Sequence, residues 1–481
     1  GVPKERDGRQ ANFIPGPSDP RIGARFLIPA SQAANVPIAF QSLLAKDNIA
    51  FVTTNNSSLG SAQTTNFAPR FGLAYQANSK IVIHAGFGLF YGGYENYGLS
   101  ASPPANFPFN IATSYTAANS VTPLTPNNTV GALGNGLTNV PLNAANANLT
   151  NISLLGRQYD WKSAYSEAYN LQVQYQLSAQ TVVKVAYAGS VSRHLQTPIN
   201  TNTLNTILPA TANAQTNSFF PDFARGGAFL SPSSATNYNG LQLDVTRRWG
   251  HDLTLDVNYT RSKCLGNARD QLDNNIGSFR APYVPGAGIA IDYALCDTDV
   301  RNIFHSTGVY ELPLGHNQRF LTQGVTAAVA GGWSLQWIAT VQDGQPLTVA
   351  CSATTAAGLG CNALKVPGQS LYTDSNKVAH FLNAAAFANP SSSATGLALL
   401  GGSPTQVSGP AYRRLDLSLF RKITLVDQLR LELRAEAFNI TNTPNFSAPG
   451  TLNFTSPSTF ASITSTRDNS RQLQFAGKIF W

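Results

Sequence analysis

Along much of this chain apolar and polar residues take turns, one for one. In the segment Leu429 to Phe438, the residues Leu429, Leu431, Leu433, Ala435 and Ala437 alternate with Arg430, Glu432, Arg434 and Glu436. Leu, Arg, Glu and Ala are good helix formers, so propensity points to a helix. Period points the other way. On a helix the apolar members would spread around the cylinder, whereas on a strand they form one clean face. The same beat recurs: Leu253, Leu255, Val257 and Tyr259 oppose Asp252, Thr254, Asp256 and Asn258. Leu171, Val173, Tyr175 and Leu177 oppose Gln172, Gln174 and Gln176, and Leu241, Leu243 and Val245 oppose Gln242, Asp244 and Thr246. Trp333, Leu335, Trp337 and Val341 oppose Ser334, Gln336, Thr340 and Gln342, with weaker versions at Phe71–Tyr75, Ile81–Tyr91, Thr181–Gly189, Val300–Glu311 and Leu415–Phe420.

The last segment completes the set. Leu473, Phe475, Ile479 and the final Trp481 share one face, while Gln472, Gln474 and Lys478 share the other. That makes eleven strands, the first near Phe67 and the last ending at Trp481. A closing strand of this kind, with Phe475, Ile479 and Trp481 on one face, resembles the C-terminal signature that the barrel-assembly machinery reads in bacterial outer-membrane proteins.

The links between strands sort by length. Those around Gln76–Ser79, Ser178–Gln180, Gly250–His251 and Ile423–Asp427 are tight, and only Leu312–Gly331 in that series is longer. They alternate with the long links Gly92–Ala164, Val191–Thr236, Lys263–Thr298, Gly344–Ala411 and Ile440–Ser470. Short turns on one side and long loops on the other are expected of an outer-membrane barrel, with the C-terminus on the periplasmic side. Aromatic residues near strand ends (Tyr91, Tyr94 and Tyr97 outside; Trp249, Tyr310 and Trp481 on the periplasmic side) suit interfacial girdles.

Composition fits this picture. The chain has 481 residues, of which 12% are charged and 43% hydrophobic. No run approaches the roughly 20 consecutive apolar residues of a membrane helix. The fold class expected is all-β, a transmembrane antiparallel β-barrel with long extracellular loops. Eleven strands in an open sheet would leave unpaired edges in lipid. They therefore read as about half of a larger barrel of roughly 22 strands. Residues 1–66, rich in Pro, Asn and Ser, read as the remnant of a preceding extracellular loop, and 67–481 as the C-terminal part of the barrel. The start at Gly1-Val2-Pro3-Lys4, without a signal peptide, and the absence of methionine read as a piece of a longer protein, its plug domain and N-terminal half lying outside this chain.

Net charge is +8, but Lys and Arg are scattered along the strands rather than clustered, which argues against a nucleic-acid partner. Four cysteines, Cys264, Cys296, Cys351 and Cys361, form no CxxC pair and suit two disulfides in an oxidising compartment. Pairing of sequence neighbours is simplest and puts each bridge inside one long outer loop; four unpaired buried thiols are the alternative.

Several segments, in order, resemble the Oar-like barrel family of TonB-dependent transporters: Asn66-Phe67-Ala68-Pro69-Arg70-Phe71-Gly72, Gly86-Phe87-Gly88-Leu89-Phe90-Tyr91 and Val185-Ala186-Tyr187-Ala188-Gly189-Ser190. Asn237-Tyr238-Asn239-Gly240-Leu241-Gln242, Asp299-Val300-Arg301-Asn302, Arg414-Leu415-Asp416-Leu417-Ser418-Leu419-Phe420 and Pro444-Asn445-Phe446 continue the series. The resemblance implies a barrel in the bacterial outer membrane, embedded in outer-membrane lipid. It would import or export a bulky solute such as a siderophore, glycan or peptide, coupled to TonB through the missing plug.

Candidate chemistry is sparse. Arg430, Glu432, Arg434 and Glu436 make a lumen-facing row that either contacts solute or plug, or neutralises itself as a charge ladder. Glu432 and Glu436 as a glycosidase pair are disfavoured, because the interleaved arginines are expected to pair with both carboxyls. Tyr94, Tyr97, Phe107 and Phe109 are candidate ligand contacts, or else girdle and loop core. Six histidines show no metal-ligand spacing, no GxSxG elbow or P-loop occurs, and Gly358–Ala363 fits a dinucleotide fingerprint only in letter. No enzyme activity, cofactor or metal is expected. The alternatives to a TonB-dependent transporter are a passive channel or surface adhesin on the same barrel, or a secreted soluble β-protein that binds carbohydrate.

Overall fold

A computed structural model describes residues 5–92, 106–111, 144, 147, 149–250, 252–268, 279–316, 318–351, 357–373, 378–391, 394–426 and 429–481. Its backbone is one sheet of eleven long strands in which every neighbour in sequence is a neighbour in space and every pair is antiparallel. The strands are β1 (Arg70–Gln76), β2 (Ile81–Tyr91), β3 (Tyr165–Ser178), β4 (Thr181–Asn200), β5 (Ala228–Trp249) and β6 (Leu253–Gly266). They continue as β7 (Asn302–Glu311), β8 (Trp333–Gln342), β9 (Tyr412–Val426), β10 (Leu429–Phe438) and β11 (Gln472–Phe480). The meander leaves β1 and β11 as the two ends of the sheet.

Segment Leu429–Phe438 is a strand, so the period of two prevails over helix propensity. Register then assembles the faces. Val173, Val185, Leu243, Tyr259, Phe304 and Val341 stand opposite one another across six strands, making a continuous apolar row. Glycines on this face make room for rings from the next strand. A Cβ at Gly308 would come within 2.3 Å of the Trp337 ring, and one at Gly189 within 2.4 Å of the Tyr169 ring. Each ring thus occupies the space beside its partner where a side chain is absent.

Two strands run further than the alternation indicates. β4 and β5 have 20 and 22 residues, against the about 9–11 needed to cross a bilayer. Their ladder continues from Ser192↔Thr236 to Asn200↔Ala228 through two bulges. Residues 191–200 and 228–236 carry Pro198 and Pro232 and no strict alternation, so the sequence reads as loop what is a projecting two-stranded stem.

The long links fold together rather than trailing. Strands Asn12–Ile14, Arg25–Pro29 and Ala50–Thr54 make a small mixed sheet, and helix α1 (Ile38–Lys46) packs beside it. Phe13, Phe26, Ile28, Phe40 and Leu44 share a buried core with Phe107, Leu154, Phe219, Phe220 and Phe223 from three later segments. A second core joins Val349, Ala363, Leu382 and Phe387 to Phe460 and Ala461, and a third joins Leu204, Val284, Leu359 and Leu400. These buried clusters form a cap on the long-loop side; α1 and the small sheet inside it are structure that the Pro/Asn/Ser-rich composition of residues 1–66 does not announce.

Candidate functional site

The face opposite the apolar row is polar, and register aligns it. Gln174, Lys184, Asp244, Asn258, His305, Thr340 and Arg414 stand partner to partner across seven consecutive strands, β3 to β9. Within this row Lys184 Nζ lies 3.2 Å from Asp244 Oδ1, and His305 Nδ1 lies 3.1 Å from Thr340 Oγ1. Arg414 Nε donates to Asp416 Oδ1 at 2.8 Å, and its Nη1 lies 3.4 Å from Asp468 in the loop after β10. Cations and carboxylates interleave, so the wall offers hydrogen bonds of both kinds without one dominant charge.

The Arg430–Glu436 row lies on this face. Arg434 bridges both acids, Nη2 to Glu432 Oε1 at 2.8 Å and Nη1 to Glu436 Oε1 at 3.2 Å, and its guanidinium sits 5.3 Å from the Phe420 ring centroid. Lys422 and Lys478 stand opposite Glu432 from the two flanking strands. Glu432 is buried beneath these cations. Arg430, by contrast, is exposed and helps line a recess of about 450 Å³ with Lys422, Glu432, Phe480 and Trp481.

In the cap, a cleft of about 980 Å³ opens between residues 14–25, residues 158–160, the stem of β4 and β5, and residues 282–289. Ile14, Ile22, Val284 and Ile289 make its walls apolar; Tyr159 and Tyr283 add rings; Arg25 and Asp160 supply one charge of each sign. Burial pushes the Tyr283 phenol well above its ordinary range, so it stays a neutral hydrogen-bond group. Such a lining suits an amphipathic solute.

The cap holds together by a device that sequence reasoning missed. Irregular backbone cannot pair with a ladder, and buried asparagine side chains take its place. Asn202 Nδ2 donates to the carbonyls of Phe220 (2.8 Å), Phe223 (2.9 Å) and Ala224 (3.0 Å), while its Oδ1 accepts from the Phe220 amide. Asn106 brackets Ala11 and Leu155 in the same way, and Asn12 brackets Leu59 and Arg157. Asparagine carries two donors and an acceptor on one short arm, which suits it to this task. Between loops, Arg280 pairs with the buried Asp292 at 2.7 Å and donates to the carbonyls of Leu400 and Gly402. The abundance of Asn in the loops was the available signal, although abundance alone does not say which ones are buried.

Of the candidate ligand contacts, Tyr94 and Tyr97 lie outside the described residues. Phe107 is buried against Phe40, with ring centroids 4.8 Å apart, and Phe109 packs on the same cluster. Both rings fill the loop core, so the ligand-contact reading of Phe107 gives way to its alternative. The cysteines pair as sequence neighbours, Cys264–Cys296 and Cys351–Cys361, with Cα–Cα distances of 5.4 and 5.6 Å. Phe475, Ile479 and Trp481 are exposed along β11 and its end. Among the described residues no group of three or more His, Cys, Asp or Glu side chains is placed to hold a metal ion, and no helix is long and apolar enough to cross a membrane.

Antiparallel strands with one apolar and one polar face, short turns at one end and folded loops at the other define the wall of a membrane-spanning β-barrel. The chain belongs to the outer membrane beta barrel domain family, whose model matches residues 1–474, and this places it in the bacterial outer membrane. None of the curated proteins matches its sequence. Among solved structures it is similar to the outer membrane transporter YddB from Escherichia coli (9% identity, TM-score 0.42), covering 84% of this chain and 39% of that one. It is also similar to the siderophore receptor PirA from Acinetobacter baumannii (11% identity, TM-score 0.41; 86% and 41% covered). A third is the FrpB iron transporter from Neisseria meningitidis (11% identity, TM-score 0.37; 87% and 40% covered). The chain spans about two-fifths of the length of these structures.

Proposed function

We propose that this chain is the C-terminal part of the barrel of a TonB-dependent transporter that moves a bulky, amphipathic solute across the outer membrane. The polar row crossing seven strands below a folded cap carries the reading. A wall of interleaved hydrogen-bonding groups lets a polar solute or a plug domain slide along it without a deep electrostatic trap. The cap cleft gives a solute its first contact, through residues such as Arg25, Asp160 and Tyr283. Residues 1–66 act in this scheme as part of the outer surface. Energy comes from TonB acting on a plug carried elsewhere in the protein, and no catalytic step by this chain is involved. Phe475, Ile479 and Trp481 serve as the recognition element for barrel assembly.

Liposome swelling by arabinose tests the central claim with the intact protein. A plugged, energy-coupled transporter gives no swelling. Swelling would establish a passive channel instead. The size of the cap relative to the wall favours, as a second reading, a surface receptor or adhesin; such a protein would also be silent in swelling but would keep its ligand binding and show no TonB-dependent accumulation in cells.

A further inference from the structure

Among the turns on the short side, that between β7 and β8 stands apart because it is folded. Residues 313–316 and 318–320 pair with each other, the Phe320 amide donating to Pro313 O at 3.0 Å and the Gly315 amide to Phe320 O at 2.9 Å. Helix α2 (Gly324–Ala330) follows, and Ala327 on its inner side is buried. The unit is tight. A Cβ on Gly315, whose φ is +104°, would fall 2.4 Å from Gly331 Cα. Only glycine meets both demands.

This compact unit nevertheless turns its large apolar side chains outward. Val325 is 79% exposed, Val329 65%, Phe320 52% and Leu321 50%. Val325 and Val329 are four apart and so lie on one helix face. No acidic residue occurs from 312 to 332, and Arg319 lies over the Phe320 ring.

The position of α2 says what covers that face. Val329 O accepts from Trp333 Nε1 and from Arg421 Nη1, both at 3.0 Å. Trp333 and Arg421 are cross-strand partners on the apolar face, one step from the pair Leu335 and Leu419. The helix is therefore pinned to the lipid side of the wall, not below its polar face. Its apolar side continues the band that Leu335, Trp337 and Leu419 present to lipid.

We propose that α2 and the preceding turn form an interfacial anchor in the periplasmic leaflet of the outer membrane. Phe320, Leu321, Val325 and Val329 insert among phospholipid acyl chains, and Arg319 reaches the phosphates. Short amphipathic segments bind interfaces in this way, through apolar burial assisted by cationic residues. The inference rests on the barrel's membrane face and is independent of what the barrel transports.

A nitroxide at Val325→Cys tests it, since the four native cysteines are disulfide-bonded. With the intact protein in vesicles of phosphatidylethanolamine and phosphatidylglycerol, the label should collide with oxygen several-fold more, relative to a water-soluble nickel complex, than a label at Ser79→Cys in a tight turn. A ratio equal to that at Ser79 would put the helix in water and overturn the proposal. Exclusion of both reagents would mean that a protein covers the helix, which overturns it equally. As a second measurement, Val325→Asp with Val329→Asp should shift a label at Leu321→Cys to the aqueous ratio while the protein keeps its heat-modifiable migration. A lipid-like ratio at 321 in that background also defeats the idea.

Discussion

The wall and the cap of this molecule use the same apolar residues by opposite rules. On the wall, Phe87 is 40% exposed and Leu241 52% exposed, whereas in the cap Phe40 and Phe220 are completely buried. The wall meets lipid, which costs an exposed phenylalanine nothing, and its backbone is paired strand to strand, as a hydrocarbon environment demands. The cap meets water, so it must gather its rings into cores. Where its backbone runs outside the small sheet and the stem, it is satisfied by asparagine side chains and by Arg280. The location of the hydrophobic core in a barrel protein is thus decided by the solvent, not by the sheet.

That contrast breaks most sharply at Phe40 and Phe475. Phe40→Ala removes a fully buried ring that touches Phe26, Phe107 and Phe223; it should cost about 3–5 kcal/mol of cap stability. Protease sensitivity of the loops should rise while heat-modifiable migration, which reports the wall, stays. Phe475→Ala should leave the cap untouched. If both substitutions weaken the same transition, wall and cap are one cooperative unit. Next in size, Arg280→Met leaves the Asp292 carboxylate buried without its cation, a loss of about 3–5 kcal/mol localised to the cap. An Arg280→Met/Asp292→Leu double variant should recover the part due to the stranded charge but not all of it, because the Leu400 and Gly402 carbonyls still lack their donor; the same proteolysis reads both.

Within the wall, the two faces of β10 separate by charge. Leu433→Arg places a cation on the lipid face halfway along β10 and should cost about 2–4 kcal/mol there. Glu432→Gln keeps an acceptor for Arg434 and should be milder, although Glu432 is buried and ion-paired rather than freely solvated. Refolding yields into detergent micelles compare the two; equal losses would mean that β10 has no separate lipid and lumen faces, and a larger loss for Glu432→Gln that the faces are reversed.

The sequence made the wall legible and the cap opaque, for one reason. Strand alternation is local: Leu429 to Phe438 declares its two faces within ten residues. So are the tight turns, which is why the strand order and the sorting of the loops could be read. The cap is made of distant pairings, such as Asn12 with Arg157, 145 residues apart, or Phe40 with Phe223. Nothing in the local pattern marks Phe107 as core rather than ligand contact. The stem of β4 and β5 fell between these cases, paired like the wall but composed like a loop.

The smallest expected effect separates wall and cap by pH. At the end of α1, the buried Asp47 accepts from the Asp222 amide at 3.2 Å, and Lys46 Nζ lies 2.6 Å from Asp222 Oδ1. Burial first, then the neighbouring Asp222 carboxylate, push the Asp47 carboxyl up to about 6, against the hydrogen bond from the Asp222 amide and, less, the Lys46 charge, which pull it down. Unfolded, the group titrates near its ordinary value of about 4. Between those values the folded cap holds a proton that the unfolded chain has released, so stability falls as pH rises. The contribution is fully present below about pH 4 and gone above about 6. Asp47→Asn keeps an acceptor for the Asp222 amide and removes the titration. Its cap should therefore melt higher than the parent's at pH 7 to 8, with the difference shrinking towards pH 4. Scanning calorimetry of the cap transition across this range checks the sign; a parent cap that gains stability from pH 4 to 6 relative to the variant would show that Asp47 is held as a stabilised carboxylate.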